Sequence, residues 1–342
     1  MFDGKNVLIT GGAGSVGRVL TRNLLDEDPN VVRLLDNSEP ALADLRAEFD
    51  DGRCRFLAGD IRDKDRLMRA MQNVDVVLHT AAMKHVDISE YNPFEAVKTN
   101  VLGVQNVVDT AIDAEVERLV FTSSDKAVNP ANTMGTTKLL GEKLVTAGNK
   151  YRGDVDLSLA SVRFGNVLNS SQSVIPIFHK QIRQGGPVKL TDRRMTRFFL
   201  SFKSLADLVL RSAEYTQGGE VFVRKMPAIR IEDLAEAMIS WLGPHYGHDP
   251  EDIDVEIIGR RIGETLDEKL MTEREAARAL ENDELYAIPP ETSERTDYLD
   301  YPGIEGFDSA ETIVRSSENA EPLTKDEIVA ILKREMEVPT DE

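Results

Sequence analysis

In the first half of the chain, short and almost unbroken apolar runs alternate with amphipathic stretches. The runs at 5–10 (KNVLIT), 31–35 (VVRLL), 55–58, 74–79 (VDVVLH), 118–123 (RLVFTS) and 157–162 have strand length and many branched residues, which predicts β-strands. Residues 16–25, 40–49, 64–71, 93–111 and 134–149 carry apolar positions at helical spacing. Strands apolar on both faces, each followed by a helix, imply a parallel sheet covered on both sides. Right-handed crossovers then give a doubly wound α/β fold. The second half is less regular. It predicts helices at 204–215, 231–242 and 272–285, strands at 220–224 and 255–258, and a turn-rich stretch at 185–194. Residues 287–322, rich in Pro, Ser, Glu and Asp, read as surface loops. This half reads as a lid over the carboxyl ends of the strands. No solenoid repeat is visible.

Length and composition narrow the picture. The 342 residues allow about two domains of ~150 residues each. With 41% hydrophobic and 30% charged residues the chain can build a sizeable core, which excludes a disordered protein. Cys54 is the single cysteine, so neither a disulfide framework nor a cysteine-based zinc site is expected. No run of ~18 apolar residues occurs, and Met1 leads straight into a strand-like segment, so a cytoplasmic protein without membrane insertion is expected. The 60 acidic residues against 41 basic ones give a net charge of −19, which repels nucleic acid and anionic membranes. Because the acid is spread along the whole chain, it reads as adaptation to a high-salt cytoplasm.

Candidate chemistry begins at residues 10–17, TGGAGSVG, between the first strand and the first helix. Gly11 permits a tight turn, Gly14 lets backbone approach a pyrophosphate, and Gly17 lets the helix pack closely; Ser15 and Val16 open that helix, whose N-terminus supplies amide donors. Asp36, at the end of the second strand and followed by Asn37 and Ser38, can accept both ribose hydroxyls of NAD and repel the 2′-phosphate of NADP. It can equally be a turn-initiating aspartate. Arg33 favours NADP, but its strand position leaves its direction open. Asp60, followed by Ile61, is a candidate for the adenine edge or a helix cap. NAD is thus expected, with NADP possible. The domains follow: residues 1–166 bind the dinucleotide, with 197–224 returning to them, and 167–196 with 225–342 form a smaller substrate-binding domain.

Several segments together resemble one family. They are TGGAGSVG (10–17), HTAAMKHVDISEYNPFEAVKTNVLG (79–103), TSSDKAVNPANTMGTTK (122–138), RFGNVLNSSQSVIPIF (163–178), TDRRMTRFFLS (191–201) and FVRKMP (222–227). The resemblance is to the extended short-chain dehydrogenases/reductases with a Rossmann domain, in particular the inverting UDP-N-acetylglucosamine 4,6-dehydratases of polysaccharide biosynthesis. It implies oxidation of the sugar at C4, loss of water across C5 and C6, and return of the hydride to C6, with inversion at C5. It further implies Asp125 as the acid for the C6 hydroxyl and Lys126 as the base for the C5 proton, beside Ser124. Burial raises a carboxyl pKa and lowers an amine pKa, so a dry pocket suits both states.

Where most of the superfamily has a tyrosine four residues before Lys138, this chain has Met134, as a subset of these dehydratases does. Methionine cannot take the C4 hydroxyl proton; Ser124 and Asp125 remain as alternatives, and Lys138 can still bind nicotinamide-ribose hydroxyls. The resemblance also places Ala81, Ala82, Lys84 and Asn100 around cofactor and sugar. It gives Asn166, Val174, Thr191, Arg197, Arg261 and Glu264 to the substrate, with the arginines suited to a diphosphate by their bidentate fork. Past residue 230 it thins: a GEK element appears here as Gly263, Glu264 and Thr265. His79, His85 and His179 read as satisfied structural histidines, and no metal site is expected. The helices at 93–111 and 134–149 resemble a pair that dimerises such enzymes, so a homodimer or larger homo-oligomer is expected. Two other readings stand beside the dehydratase. A UDP-sugar 4-epimerase on the same scaffold needs no adjacent acid and base at 125 and 126. A non-catalytic dinucleotide-binding protein has no use for them at all.

The charge leads to the first prediction. Screening of self-repulsion should raise the melting temperature between about 0.1 M and 1 M KCl, as the screening length falls from ~10 Å to ~3 Å. A melting temperature that stays flat or falls with added KCl rejects the high-salt reading.

Overall fold

The computed structural model describes residues 1–170, 173–261, 263–291 and 303–336. Six parallel strands carry the first half: β1 (Asn6–Thr10), β2 (Val31–Asp36), β3 (Cys54–Ala58), β4 (Val76–His79), β5 (Arg118–Thr122) and β6 (Ser158–Arg163). All of β4 and β6, and all but the first residue of β1 and β5, are buried, as a sheet covered on both faces requires. Their order is β3-β2-β1-β4-β5-β6, the doubly wound arrangement. The order reverses between β1 and β4, where such folds bind ligands beyond the strands' carboxyl ends. Val221–Arg224 joins in parallel beside β6, and the short antiparallel strands Leu285–Ile288, Leu280–Glu281 and Asp308–Ser309 finish that edge.

Some of the helices begin where the sequence supplies a cap. The first, α1 (Ser15–Asp26), follows Gly14 and has no side-chain cap. Ser38 caps α2 (Glu39–Glu48) and Asp63 caps α3 (Lys64–Met71), each accepting a first-turn amide. The expected single helix at 93–111 departs from regularity. After α4 (Val86–Tyr91) come α5 (Pro93–Val97), a π turn at Lys98–Leu102, and α6 (Gly103–Asp113). The wide turn holds the buried Asn100, and Gly103 lies so near Ile61 that a Cβ would stand 2.7 Å from its Cδ1. Asn132 caps the long α7 (Thr133–Tyr151).

The chain divides into two units. The first comprises Met1–Arg163, Lys203–Lys225 and Thr272–Ile313; the second comprises Phe164–Phe202, Met226–Met271 and Val314–Glu342. Residues 197–202 therefore lie in the second unit, and 272–313 rejoin the first because their strands extend its sheet. The helix expected at 272–285 is a single turn, Glu273–Ala276, closed by a Thr272–Glu275 capping box. An Asx turn follows, with Asn282 accepting the amides of Glu284 and Leu285, and pairing of Leu285–Ile288 with Val221–Arg224 overrides the helix propensity. The expected loop at 287–322 accordingly starts inside a strand, and residues 292–302 lie outside the described ones. In the second unit, helices Val174–Arg183, Ile231–His245 and Lys325–Glu335 share one core with Phe178, Met238 and Leu332. Two of these helices, Val174–Arg183 and Lys325–Glu335, were not expected.

Among the first unit's exposed apolar side chains, Ile88, Tyr91, Phe94, Leu102, Leu140 and Tyr151 all lie on the stretch from α4 to α7. Tyr91 is 88% and Phe94 66% exposed, so they contribute nothing to the core of this chain. Several such residues on neighbouring helices are what a self-association surface would present. Light scattering at micromolar concentration in high salt should therefore give at least twice the mass of the chain, and Tyr91→Glu with Phe94→Glu should return the monomer. A monomeric wild type rejects this surface as a self-association site.

Candidate active site

The turn after β1 is built from close approaches. Gly11 has φ +70°, and a Cβ on it would stand 2.7 Å from the Ala81 nitrogen. The amides of Gly11 and Gly12 both donate to the Leu35 carbonyl, at 2.8 and 3.1 Å. A Cβ on Gly12 would lie 2.9 Å from Leu34 Cβ, and one on Gly17 would lie 2.5 Å from the Gly12 carbonyl oxygen. Gly12 was not among the expected site residues, although the GG pair signals it. Gly14 has only the Gly11 oxygen near its Cβ direction, at 3.2 Å. Ser15 and Val16 thus start a helix whose N-terminus is shaped to receive an anion.

Asp36 accepts the Ala13 amide through Oδ2 at 3.1 Å and the Ser38 amide through Oδ1 at 3.0 Å. It starts the Asn37–Ser38 turn, and the same carboxylate reaches the glycine turn. Arg33 is settled: it donates to the Ala70 and Gln72 carbonyls, both at 2.7 Å, which engages it at the end of α3. Asp60 is held by Arg62, whose hydrogen bond keeps its carboxyl below the usual range. The cap of α3 is Asp63, which removes the capping alternative for Asp60. Ile61 is buried.

Ala81, Ala82 and Lys84 lie in the loop after β4, with Lys84 exposed. Asn100 acts on that loop. Its Oδ1 accepts the Met83 amide at 2.8 Å, and its Nδ2 donates to the Met83 carbonyl at 2.9 Å and to Thr137 Oγ1 at 3.0 Å. The carboxamide is spent on holding Met83 and α7, so Asn100 shapes the loop rather than presenting a free amide to a ligand.

Beyond β5, Ser124 starts a 3-10 turn at Asp125–Ala127; its Oγ accepts the Lys126 amide at 3.3 Å and donates to Asp125 Oδ1 at 2.8 Å. Lys126 Nζ lies 3.0 Å from the same Oδ1. The Asp125 side chain is wholly buried and that of Lys126 is 22% exposed. Asp125 Oδ2 has no hydrogen-bond partner among the described residues. Asn132 accepts the Gly135 amide at 2.8 Å, and a Cβ on Gly135 would stand 2.0 Å from the Lys126 carbonyl oxygen. Gly135, unforeseen from sequence, thereby seats α7 on the turn. Met134 and Lys138, one helical turn apart, are both buried. Lys138 Nζ donates to the Thr122 carbonyl at 2.9 Å and stands 4.7 Å above the Phe121 ring. Burial pushes its ammonium down to about 7, with Glu142 opposing the shift.

His79 meets Thr10 Oγ1 through Nδ1 at 2.6 Å, but its Nε2 has no partner among the described residues, so it is satisfied on one side only. Burial, aided by the Lys138 charge, pushes it down to about 3. His179 pairs with the Tyr246 hydroxyl at 2.7 Å, and His85 precedes α4 without capping it. No cluster of three metal-ligating side chains occurs among the described residues.

In the second unit, Asn166 opens the strand Asn166–Val167, Val174 opens a helix, and Thr191 donates to Met195 Sδ at 3.0 Å. Arg197 departs from expectation. Its guanidinium donates to the Thr196, Leu266 and Thr265 carbonyls at 2.8, 3.0 and 2.8 Å, and lies 3.5 Å from Glu268. It ties residues 265–268 to its own strand, so its fork is already occupied and not presented to a diphosphate. Arg261 is exposed, in a turn where its amide donates to Glu264 Oε2 at 2.9 Å.

The buried Lys138 gives a signed prediction. A pKa near 7 in the folded chain and near 10.5 in the unfolded one means that unfolding takes up a proton between those values, so stability from this group rises with pH across that window. Lys138→Met removes that slope. Urea unfolding at pH 7.5 and pH 9.5 should show wild type gaining about 2 kcal/mol on the variant. An unchanged difference rejects a depressed lysine.

The profile of the polysaccharide biosynthesis protein family matches residues 7–290. A Methanocaldococcus jannaschii protein described as an uncharacterized membrane protein is 46% identical over 332 residues, 97% of this chain and 96% of its own. No helix among the described residues here is long and apolar enough to cross a membrane. The inverting UDP-N-acetylglucosamine 4,6-dehydratase of Campylobacter jejuni is 41% identical over 85% of this chain and 84% of its own. A UDP-glucose 4-epimerase of Rickettsia prowazekii is 38% identical over 84% of each. Among solved structures, Pen from Bacillus thuringiensis superposes with a TM-score of 0.89 at 39% identity, over 98% of this chain and 99% of that one. DesIV of Streptomyces venezuelae, a dTDP-glucose 4,6-dehydratase with NAD bound, gives 0.67 at 26% identity, over 76% and 86%. With the glycine turn, the strand order and these relatives in agreement, the chain belongs to the polysaccharide biosynthesis protein family and has the fold of the extended short-chain dehydrogenases/reductases.

Proposed function

We propose that this protein, a nucleotide-sugar enzyme of the dehydratase and epimerase class, is a 4,6-dehydratase that acts on UDP-N-acetylglucosamine with NAD and inverts C5. The Asp125–Lys126 pair carries the reading: an acid and a base share a 3.0 Å contact in a buried turn at the carboxyl end of β5. Elimination needs one group that gives a proton and one that takes a proton, side by side. Lys126 then takes the C5 proton, made acidic by the 4-ketone. Asp125 gives its proton to the departing C6 hydroxyl, and Oδ2, with no partner among the described residues, is the oxygen suited to hold it.

The chain fits the cofactor. The crowded glycine turn and the α1 N-terminus suit the pyrophosphate, and Asp36 suits the adenosine ribose of NAD, with Arg33 engaged elsewhere. NAD bound there would supply the acceptor for the C4 hydride and, once reduced, the hydride donor for C6. Lys138 and the loop at 81–84 orient the nicotinamide end. With Met134 in the tyrosine's place, Ser124 and Asp125 are the groups left beside the C4 hydroxyl. The Rickettsia relative keeps a second reading in view, a UDP-sugar 4-epimerase. Re-reduction at C4 alone leaves the acid–base pair without a task.

Incubation with UDP-N-acetylglucosamine and mass analysis separates the two: loss of one water supports the dehydratase, and an unchanged mass with a new sugar supports the epimerase. Lys126→Met should slow water loss ~10²–10⁴-fold. It should spare oxidation at C4, so the absorbance of reduced nicotinamide appears and persists, and solvent deuterium fails to enter C5. Dehydration near the wild-type rate sinks the assignment of Lys126.

A further inference from the structure

The first unit holds a cavity of about 440 Å³, within the ~300–1,000 Å³ usual for small-molecule pockets. It lies between α7 and the segment that returns to this unit, and no residue of the candidate active site lines it. Part of its wall is a buried ion group. Arg163, the last residue of β6, donates from Nε to Glu142 Oε1 at 2.8 Å and from Nη2 to Glu142 Oε2 at 2.6 Å. The same Nη2 donates to Glu275 Oε1 at 2.8 Å. These charges answer one another, and Arg274 pairs with Glu291. Lys143 and Arg278 have no carboxylate at ion-pair distance among the described residues. Lys150, two turns after Lys143 on α7, lines the same cavity. Five cationic side chains thus stand against three anionic ones here, in a chain with 41 basic and 60 acidic residues.

Arg278 is the most telling of these. It is half-buried, and its guanidinium is held by carbonyls: Nε donates to Pro289 at 3.0 Å and Nη1 to Arg274 at 2.8 Å. Carbonyls fix the group without neutralising it, and burial works against its charge. Neither bond uses Nη2, so that arm is left for a ligand. A phosphate would supply both the counter-charge and the acceptors, with the lysines as further point charges. A lone inorganic phosphate is far smaller than the cavity, and part of the lining is apolar. We propose that this cavity binds a small organic phosphate, its phosphoryl oxygens on Arg278, Lys143 and Lys150 and its carbon body on Ile288, Pro289 and Pro290. The bound molecule would bridge α7 and the returning segment, which the Arg163 group already joins. The proposal uses no group of the dehydratase site and does not depend on that reading.

The test is calorimetry on the full-length protein with phenyl phosphate as the probe, at one fixed KCl concentration. NAD and UDP are kept in excess to fill the phosphate positions of the candidate active site. Phenyl phosphate should bind once per chain, and inorganic phosphate at least tenfold more weakly. Arg278→Met should weaken the probe ~10-fold or more, the loss of one charge-assisted hydrogen bond. Lys143→Glu, a charge reversal on an exposed side chain, should weaken it at least ~5-fold. If Arg278→Met does not fold, Lys143→Glu decides alone: weaker binding supports the site and unchanged binding overturns it. No binding to the wild type, or equal binding in both folded variants, overturns it as well. Inorganic phosphate binding as tightly as the probe overturns the organic ligand. A purely structural role for Arg278 would lower the melting temperature and leave the affinity in place. Failure of the dehydratase reading would appear in the product mass and not here.

Discussion

The turn that carries Asp125 and Lys126 can meet helix α7 only because residue 135 has no side chain. With a Cβ there, 2.0 Å from the Lys126 carbonyl oxygen and 2.9 Å from its carbon, backbone would have to move. Everything else along the helix is arranged around that seat. The Asn132 cap fixes the Gly135 amide, Thr137 is clamped by Asn100, Lys138 is tied to the end of β5, and Glu142 is gripped by β6. Within about two turns, from Gly135 to Glu142, the helix is thus capped at its start and anchored by polar contacts to Asn100, to the end of β5 and to β6. A helix held in this way keeps side chains at its N-terminal end within the tolerances that proton transfer requires.

The two lysines of the site work in different surroundings. Lys138 is buried against an aromatic ring and a carbonyl, where its charge is costly, whereas Lys126 keeps part of its side chain in contact with solvent and a carboxylate at hydrogen-bond distance. Desolvation acts on the first. Salt screens exposed charges far more than buried ones. The net charge of −19 and the site can therefore respond separately to ionic strength: added salt relaxes the surface while the interior charges keep their balance.

Most of the sheet was legible in the sequence because its strands are short, apolar and separated by helical stretches. β1 to β6 lie where the apolar runs predict them, and the glycine turn follows β1 as its spacing requires. What escaped was set by tertiary contact. The REAARAL stretch has helix-forming residues, yet only its start is helical: Leu280–Glu281 pairs with Leu285–Ile288, which pairs in turn with Val221–Arg224, some sixty residues earlier. Gly12 and Gly135 are essential for what they touch, which no local pattern encodes. Arg197 has the chemistry of a diphosphate ligand, but in the fold its fork is taken by residues 265–268. Helix Lys325–Glu335 is a different kind of miss: its Thr324–Glu327 capping box before an apolar run was there to be read.

The antiparallel strands that finish the sheet have a consequence for how the chain is made. Val221–Arg224 is the last parallel strand, and its outer hydrogen-bonding edge is satisfied only by Leu285–Ile288. During synthesis that edge is complete only once about sixty further residues have emerged, a wait of several seconds at ~5–20 residues per second. Over that interval the nascent domain offers a bare, apolar strand to any neighbour able to pair with it. The intervening residues 226–271 belong to the second unit and can fold in the meantime. Order of synthesis thus makes the sheet the first part of the first unit to form and its far edge one of the last to close.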